Sequence, residues 1–361
     1  MEPGFMPNKE LLFNDAIELL KELVATPSYS GEEEHTAAVL TKFFEKKSIE
    51  VRRIQNNVVV QNFHFREGLP VLLLNSHHDT VKPNSAYTLD PFLPLVMDGK
   101  LFGLGSNDAG GALVSLAATF LHFYHLENLP FNLLFVASAE EEISGSKGIE
   151  LAIKSLGKVD LAIVGEPSGM EMAIAEKGLM VLDCLSTGRS GHAARCEGEN
   201  AIYKAMKDIA WFQSHRFSKV SDTLGEVLMN VTLIQAGTQH NVVPAECRFT
   251  VDVRCTDAYS HEELLEEIRK NVQCQVVPRS MRIRPSAIPG SHPFVKKAKE
   301  LGFRTYGSPT TSDQALMPFP SVKIGPGDSA RSHTADEFIY LDEITDGIEK
   351  YIQLISSIQA L

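Results

Sequence analysis

The chain has 361 residues, 43% of them hydrophobic and 22% charged, with a formal net charge of −12. That length allows one large domain or two, and the acidic balance, with no Lys/Arg cluster to reverse it, argues against a nucleic-acid surface. The opening MEPGFMPNKE lacks a basic stretch followed by an apolar one, and no apolar run approaches a membrane span, so neither a signal peptide nor a spanning helix is expected.

In chain order, an amphipathic pattern predicts a helix over about Lys9–Ala25, stopping before Pro27. Ser30-Gly31-Glu32-Glu33 has capping-box spacing and is expected to start a second helix through HTAAVLTKFFEKK. Short apolar runs follow: VLLLN (71–75), FNLLFVA (131–137), LAIV (161–164) and SVKI (321–324). They are bounded by Gly, Pro and Asp and separated by helical patterns such as GGALVSLAATFLHFYH, which predicts an α/β fold with a central sheet covered on both faces.

Residues 179–286 have another rhythm. Strand LMVLDCLST, helix NAIYKAMKDIAWFQSH, strands EVLMNVTLIQ and ECRFTVDVRCT, helix HEELLEEIRKNV and strand SMRIRPS give the order β-α-β-β-α-β, a ferredoxin-like pattern. All five cysteines (Cys184, Cys196, Cys247, Cys255, Cys274) lie here, without a C-x-x-C pair, and read as reduced thiols of a cytoplasmic protein. The expected architecture is a discontinuous α/β domain, residues 1–178 and 288–361, carrying an inserted domain, residues 179–287.

Each apolar run leads into residues that ligate metals. VLLLN enters Ser76-His77-His78-Asp79-Thr80-Val81, FNLLFVA enters Glu140-Glu141-Glu142, and LAIV enters Gly165-Glu166-Pro167-Ser168. SVKI leads through Asp328 to Ser332-His333-Thr334, and FGLGSNDAGG places Asp108 before a glycine pair. Ligands collect at the carboxyl ends of strands in open α/β sheets. Singly, each residue has a plainer role: Asp108 as a helix N-cap, the glutamates as a solvated loop, His78 as a structural histidine pointing away from its neighbours. Jointly, imidazole and carboxylate groups without thiolates suit zinc, cobalt or manganese, two ions more readily than one.

This pattern resembles the metallopeptidase family of acetylornithine deacetylases, succinyl-diaminopimelate desuccinylases, aminoacylases and glutamate carboxypeptidases. The motifs that carry the resemblance occur in the family's order: His77-His78-Asp79-Thr80-Val81, Asp108 after a Gly-x-Gly turn, Glu141-Glu142, Gly165-Glu166-Pro167-Ser168, and His333 followed by Asp336-Glu337. The resemblance implies a zinc-aminopeptidase-like catalytic domain, with the inserted domain as a lid and dimerisation domain. It makes Asp108 a bridge between two divalent ions, with His77 and Glu166 completing one site and Glu142 and His333 the other. Asp79 would orient His77 and Glu141 would be the general base. His192, in Ser190-Gly191-His192-Ala193-Ala194, would donate to the oxyanion from the partner subunit, and Asn241 and Arg254 would bind the substrate carboxylate. The sequence departs from the family at Ala109-Gly110-Gly111, at Pro83 and at Cys196, none of them a ligand position.

The implied reaction is metal-dependent hydrolysis of an N-acyl amino acid, N-acetyl-L-ornithine or N-acetyl-citrulline first, in arginine biosynthesis. Alternatives are a desuccinylase of N-succinyl-ornithine, citrulline or diaminopimelate, an N-acetyl-lysine deacetylase, and a dipeptidase or carboxypeptidase. A further alternative is a metal-binding regulatory or scaffold protein that has lost catalysis. The expected partners are a small-molecule substrate and a second copy of the chain, with no nucleic acid or membrane. Arg331, two residues before His333, is expected either to pair with Asp328 or Asp336 or to face the metals and accept a succinyl carboxylate.

Overall fold

The computed structural model describes residues 8–195 and 197–359; Cys196 and the first seven residues of the opening segment lie outside them. The chain divides into two compact units, residues 1–174, 287–306 and 312–361 in one, and residues 175–286 and 307–311 in the other.

The first unit is built on a mixed sheet flanked by helices. The strands run in the order Arg52–Ile54, Asn57–Gln61, Asn132–Ser138, Val71–His77, Leu161–Val164, Ser321–Lys323, Met172–Glu176. The middle of the sheet is parallel: Val71–His77 pairs with Asn132–Ser138 on one side and Leu161–Val164 on the other, and Ser321–Lys323 extends it. These strands read as continuous apolar runs because both their faces are covered. Leu72, Leu74, Leu133 and Phe135 join one buried cluster with the helices Lys9–Val24, Glu34–Glu45, Gly111–Phe123 and Leu341–Ser356. The alternate residues Val71, Leu73, Leu134 and Val136 join another with Ile149, Ala152 and Met317.

In the second unit the strands Gly178–Thr187, Leu228–Ala236, Glu246–Cys255 and Gln275–Pro278 form a four-stranded antiparallel sheet. Read across the sheet, these four are the second, third, first and fourth in sequence, the arrangement of a split β-α-β motif. Its core holds Met180, Leu182, Phe212, Phe249, Val251, Val253, Leu264 and Ile268.

Two local expectations are corrected. The last strand is Gln275–Pro278 rather than SMRIRPS, because Val276 pairs opposite Cys184 and is buried there. The second helix does not begin with a capping box: it spans Glu34–Glu45 without a side-chain cap. The Ser30 hydroxyl instead donates to Asp79 (2.7 Å), and the buried Glu33 carboxylate accepts from the Gly31, Glu140 and Asn56 N–H groups. Long-range partners outcompete the local cap, since a buried carboxylate gains more from several donors than from one.

Candidate metal centre

The strands deliver the acidic and imidazole groups to one end of the sheet. His77 is the last residue of its strand and stands in register with Ser138, from which the chain turns into Glu140-Glu141-Glu142. Glu166 follows the next parallel strand, and the segment after Ser321–Lys323 leads to His333. Asp108 lies in an irregular helical turn, Ser106–Gly110, ahead of the helix Gly111–Phe123. The two glycines there are close-approach positions. A Cβ on Gly110 would stand 2.4 Å from the Gly105 carbonyl oxygen, and one on Gly111 would stand 2.1 Å from an Ile339 methyl. Asp108 is not a helix cap, because the N-cap position belongs to Gly110.

Asp108 turns one oxygen toward His77 Nε2 (3.3 Å) and the other toward His333 Nε2 (3.6 Å). Glu166 and Glu141 approach the same His77 nitrogen at 3.8 and 4.0 Å, and Glu142 accepts from His333 Nε2 at 3.0 Å. Among the described residues, His77, Asp108 and Glu142, and again His77, Glu141 and Glu166, can each offer ligand atoms within 4.8 Å of one another. The second triad puts Glu141, expected as the base, beside the expected ligand Glu166. His333 has φ +60°, in the left-handed region that non-glycine residues seldom occupy.

The tautomer of His77 is set from behind. Its Nδ1–H donates to the Asp79 backbone carbonyl (3.0 Å), which leaves Nε2 facing the carboxylates. The Asp79 carboxylate, 3.6 Å from Nδ1, accepts the Glu141 and Glu142 backbone N–H groups at 3.0 and 3.1 Å, so it also shapes the glutamate turn. His78 points elsewhere, with Nδ1 at the Thr36 hydroxyl and Nε2 at the Asn56 carbonyl.

The electrostatics follow from packing like charges in a dry place. Burial raises the Glu141 carboxyl well above its usual range; the neighbouring carboxylates add to this and His77 opposes it. Burial would lower the His77 imidazolium, but Asp108, Asp79, Glu166 and Glu141 outweigh it and raise it well above the usual value. His333 is raised to about 9, first by its hydrogen bond to Glu142. This donor set, imidazole nitrogens and carboxylate oxygens, fits divalent ions of the zinc, cobalt and manganese kind.

Two buried carboxylates beside the centre had no role assigned from the sequence. Glu337 accepts backbone N–H groups from Gly105 (3.0 Å), Asn107 (2.8 Å) and Asp108 (2.8 Å). Asp313 accepts from the Ser138 hydroxyl, and burial pushes it up to about 6. Glu337 stood in the sequence beside a motif histidine, but nothing local showed that its partners lie about 230 residues upstream, the reach of these bonds.

The other expected residues belong to the second unit. His192 is exposed on the short strand Gly191–His192, paired with Val242–Val243, and Asn241 is brought beside it, its carbonyl accepting the Ala193 N–H. Arg254 is partly committed: two of its nitrogens donate to Asp252 (2.8 and 3.1 Å) and Nη1 lies 3.5 Å from the Thr311 hydroxyl. Arg331, back in the first unit, has neither expected aspartate as its ion-pair partner. It makes a two-point pair with Glu343 (2.7 and 2.8 Å) and lies over the Phe338 and Tyr340 rings, which corrects the expected pairing with Asp328 or Asp336.

Among curated proteins, a [LysW]-lysine/[LysW]-ornithine hydrolase of Saccharolobus islandicus is 28% identical over 365 residues, covering 97% of this chain and 98% of that protein. An acetylornithine deacetylase of Proteus mirabilis is also 28% identical, over 374 residues, covering 94% and 96%. Among solved structures, an M20 family metallo-carboxypeptidase from Sulfolobus solfataricus superposes with a TM-score of 0.76 at 16% identity, covering 94% of this chain and 98% of that one. A dinuclear metal-binding M20 peptidase from Bacillus subtilis gives 0.72 at 16% identity, with 98% and 100% covered. These two likenesses concern the fold. A sequence profile of peptidase family M20/M25/M40 matches residues 73–357, a span that holds His77, Asp108, Glu141, Glu142, Glu166 and His333. With that match over most of its length, this chain, a metal-dependent amidohydrolase, belongs to peptidase family M20/M25/M40.

Proposed function

We propose that this chain removes the acyl group of an N-acyl amino acid, N-acetyl-L-ornithine or N-acetyl-citrulline first, as a step of arginine biosynthesis in the cytoplasm. The observation that carries the reading is the two-sided Asp108 carboxylate, 3.3 Å from His77 and 3.6 Å from His333. Asp108 would stand between two ions, with His77 and Glu166 holding one and Glu142 and His333 the other; zinc would be the first choice, cobalt or manganese the others. Two such ions supply Lewis acidity to the acyl carbonyl and acidify water toward pKa ~7. Glu141 would take the water's proton and hand it to the leaving amine as the acyl C–N bond breaks, a role its place beside His77 and Glu166 allows. Asp79 keeps His77 in the ligating tautomer and holds the backbone of Glu141 and Glu142.

The second unit acts as lid and dimerisation domain in this reading. His192 Nδ1 accepts the Ala194 N–H at 3.2 Å, which leaves Nε2–H as a donor for the acyl oxygen, supplied to the partner subunit's site. Arg254 and Asn241 bind the amino acid's carboxylate, with Arg254 Nη1 as the least committed nitrogen of its guanidinium. A second reading keeps the same chemistry but replaces acetyl with the [LysW] group. It is favoured by the Saccharolobus islandicus relative named for that substrate, which matches at the same identity as the deacetylase and covers more of the chain.

The test is a hydrolysis panel crossing acetyl and succinyl with ornithine, citrulline, lysine and diaminopimelate, alongside metal analysis. Turnover of an acetylated substrate supports the first reading. Failure on all of them by a protein holding two ions per chain overturns it, and the [LysW] conjugates then become the substrates to try. Mixing Glu141→Gln with His192→Ala subunits checks the role of the partner. Regained activity supports donation across a dimer, and none after confirmed subunit exchange refutes it.

A further inference from the structure

Glu337 is 2% exposed, yet its carboxylate is met by backbone N–H groups. One oxygen accepts from Asn107 and Asp108, both at 2.8 Å, and the other accepts from Gly105 at 3.0 Å. Its own carbonyl accepts the Gly103 N–H at 2.9 Å, so a single residue gathers the whole turn from Gly103 to Asp108. The turn is shaped to aim its amides inward. Gly105 has φ +75°, and a Cβ there would come within 2.5 Å of a Thr80 methyl. Successive N–H groups converging on an anion in this way form a nest, and hydrogen bonds to a charged acceptor are the stronger kind.

Two features tie this clamp to the metal centre. An aspartate side chain is short, so the backbone position of Asp108 decides where its two oxygens stand; Glu337 holds that backbone N–H directly. The clamp also lies on the segment that carries His333, four residues earlier. The neighbouring Asp336 accepts the Thr88 and Leu89 N–H groups, both at 2.9 Å, and Asn84 donates to the His333 carbonyl at 3.2 Å. One short stretch of chain therefore holds two of the three groups at the second metal position, Asp108 and His333.

We propose that Glu337 is a positioning residue for the metal pair: by clamping the turn from Gly105 to Asp108 it sets how Asp108 faces His77 and His333, so ion affinity depends on a residue that is no ligand. This rests on Asp108 being the bridge, as read above. Removal of a group that orients a metal ligand typically weakens binding by about 10–100-fold. Alanine removes all three acceptor contacts. Glutamine keeps the size and one oxygen but in either orientation sets an NH₂ against at least one backbone N–H, so it weakens the clamp without removing it.

The experiment is titration of the metal-depleted full chain with cobalt(II), followed by calorimetry and by the visible absorption of the bound ion. Thermal unfolding of each variant is measured in parallel. For Glu337→Ala the expected result is a Kd at least tenfold weaker for one or both ions and an altered cobalt spectrum, and for Glu337→Gln a smaller shift of both in the same direction. Asp336→Asn, which loosens Thr88 and Leu89 but not Asp108, is expected to change the Kd less. A folded Glu337 variant with wild-type Kd and spectrum overturns the proposal, even if its melting temperature falls, because the residue is then merely structural. If Glu337→Ala fails to fold, Glu337→Gln decides. Wild-type protein that binds fewer than two cobalt ions overturns the bridging role of Asp108 itself, which separates that failure from the failure of the clamp.

Discussion

The Glu141 carboxylate stands 4.0 Å from His77 Nε2, with its charged form disfavoured by burial. As the proposed base it would matter through its proton, whereas the neighbouring carboxylates, as proposed ligands, would matter through their lone pairs. Glu141→Gln is therefore expected to keep both ions and lose turnover by about 10²–10⁴-fold, the usual contribution of general acid–base catalysis. Metal analysis and kcat on the same preparation check this. Near-normal kcat in a fully loaded variant would remove Glu141 from the mechanism.

His333 contacts Glu142 and Asp108 but not His77's other partners. His333→Ala is expected to empty one metal position and leave the other filled. Metal analysis after dialysis against a weak chelator should read one ion per chain instead of two. Two tightly held ions would show that the ligand set is wrong.

Arg331 shares a two-point ion pair with Glu343, whose carboxylate also accepts the Tyr340 N–H at 3.0 Å. The two side chains are 18% and 27% exposed. Arg331→Ala is expected to cost roughly 1–3 kcal/mol of stability, the range for hydrogen bonds to charged groups after allowance for solvent. It should not change the ratio of kcat/KM on succinyl and acetyl substrates. A selective loss on the succinyl substrate would restore the acyl-binding role.

His261 is buried, and burial, reinforced by the Arg284 charge, lowers its pKa from the ordinary value of 6.5. Below pH ~6.5 the unfolded chain takes up a proton that the folded unit refuses, so stability falls as pH drops through that range and is complete above it. The slope is at most ~1.4 kcal/mol per pH unit for one group. Trp211, the only tryptophan, lies in the same unit and reports its unfolding. Denaturation followed by its fluorescence should show a shallower acid dependence for His261→Gln than for wild type between pH 5 and 6.5; parallel slopes would contradict the assignment.

Phe44 has no exposed surface and packs against Phe120 and Phe135, with ring centroids 6.0 and 5.4 Å away. Phe44→Ala is expected to destabilise the first unit by about 3–5 kcal/mol through lost burial and the cavity left behind. Circular dichroism during denaturation measures it. A loss below ~1 kcal/mol would mean the cluster collapses around the gap.

What the sequence determined by itself was whatever short-range pattern encodes. The runs 71–75, 131–137 and 161–164 appear as strands because a parallel strand covered on both faces must be apolar throughout, and that shows in four or five residues. The residues at their ends were legible as a centre for the same reason: His77, Glu141, Glu142 and Glu166 each stand just past such a run. The tertiary structure alone decided which oxygen faces which nitrogen, and which polar side chains serve distant partners. Ser30 and Glu33 had the spacing of a cap, yet the fold brings Asp79 and Glu140 to them. Arg331 had aspartates nearby in the chain, yet the start of the last helix presents Glu343 in a two-point geometry they do not match. Glu337 meets a turn some 230 residues upstream. A buried charge takes the partners that pay its desolvation best, and only the folded chain sets which partners are within reach.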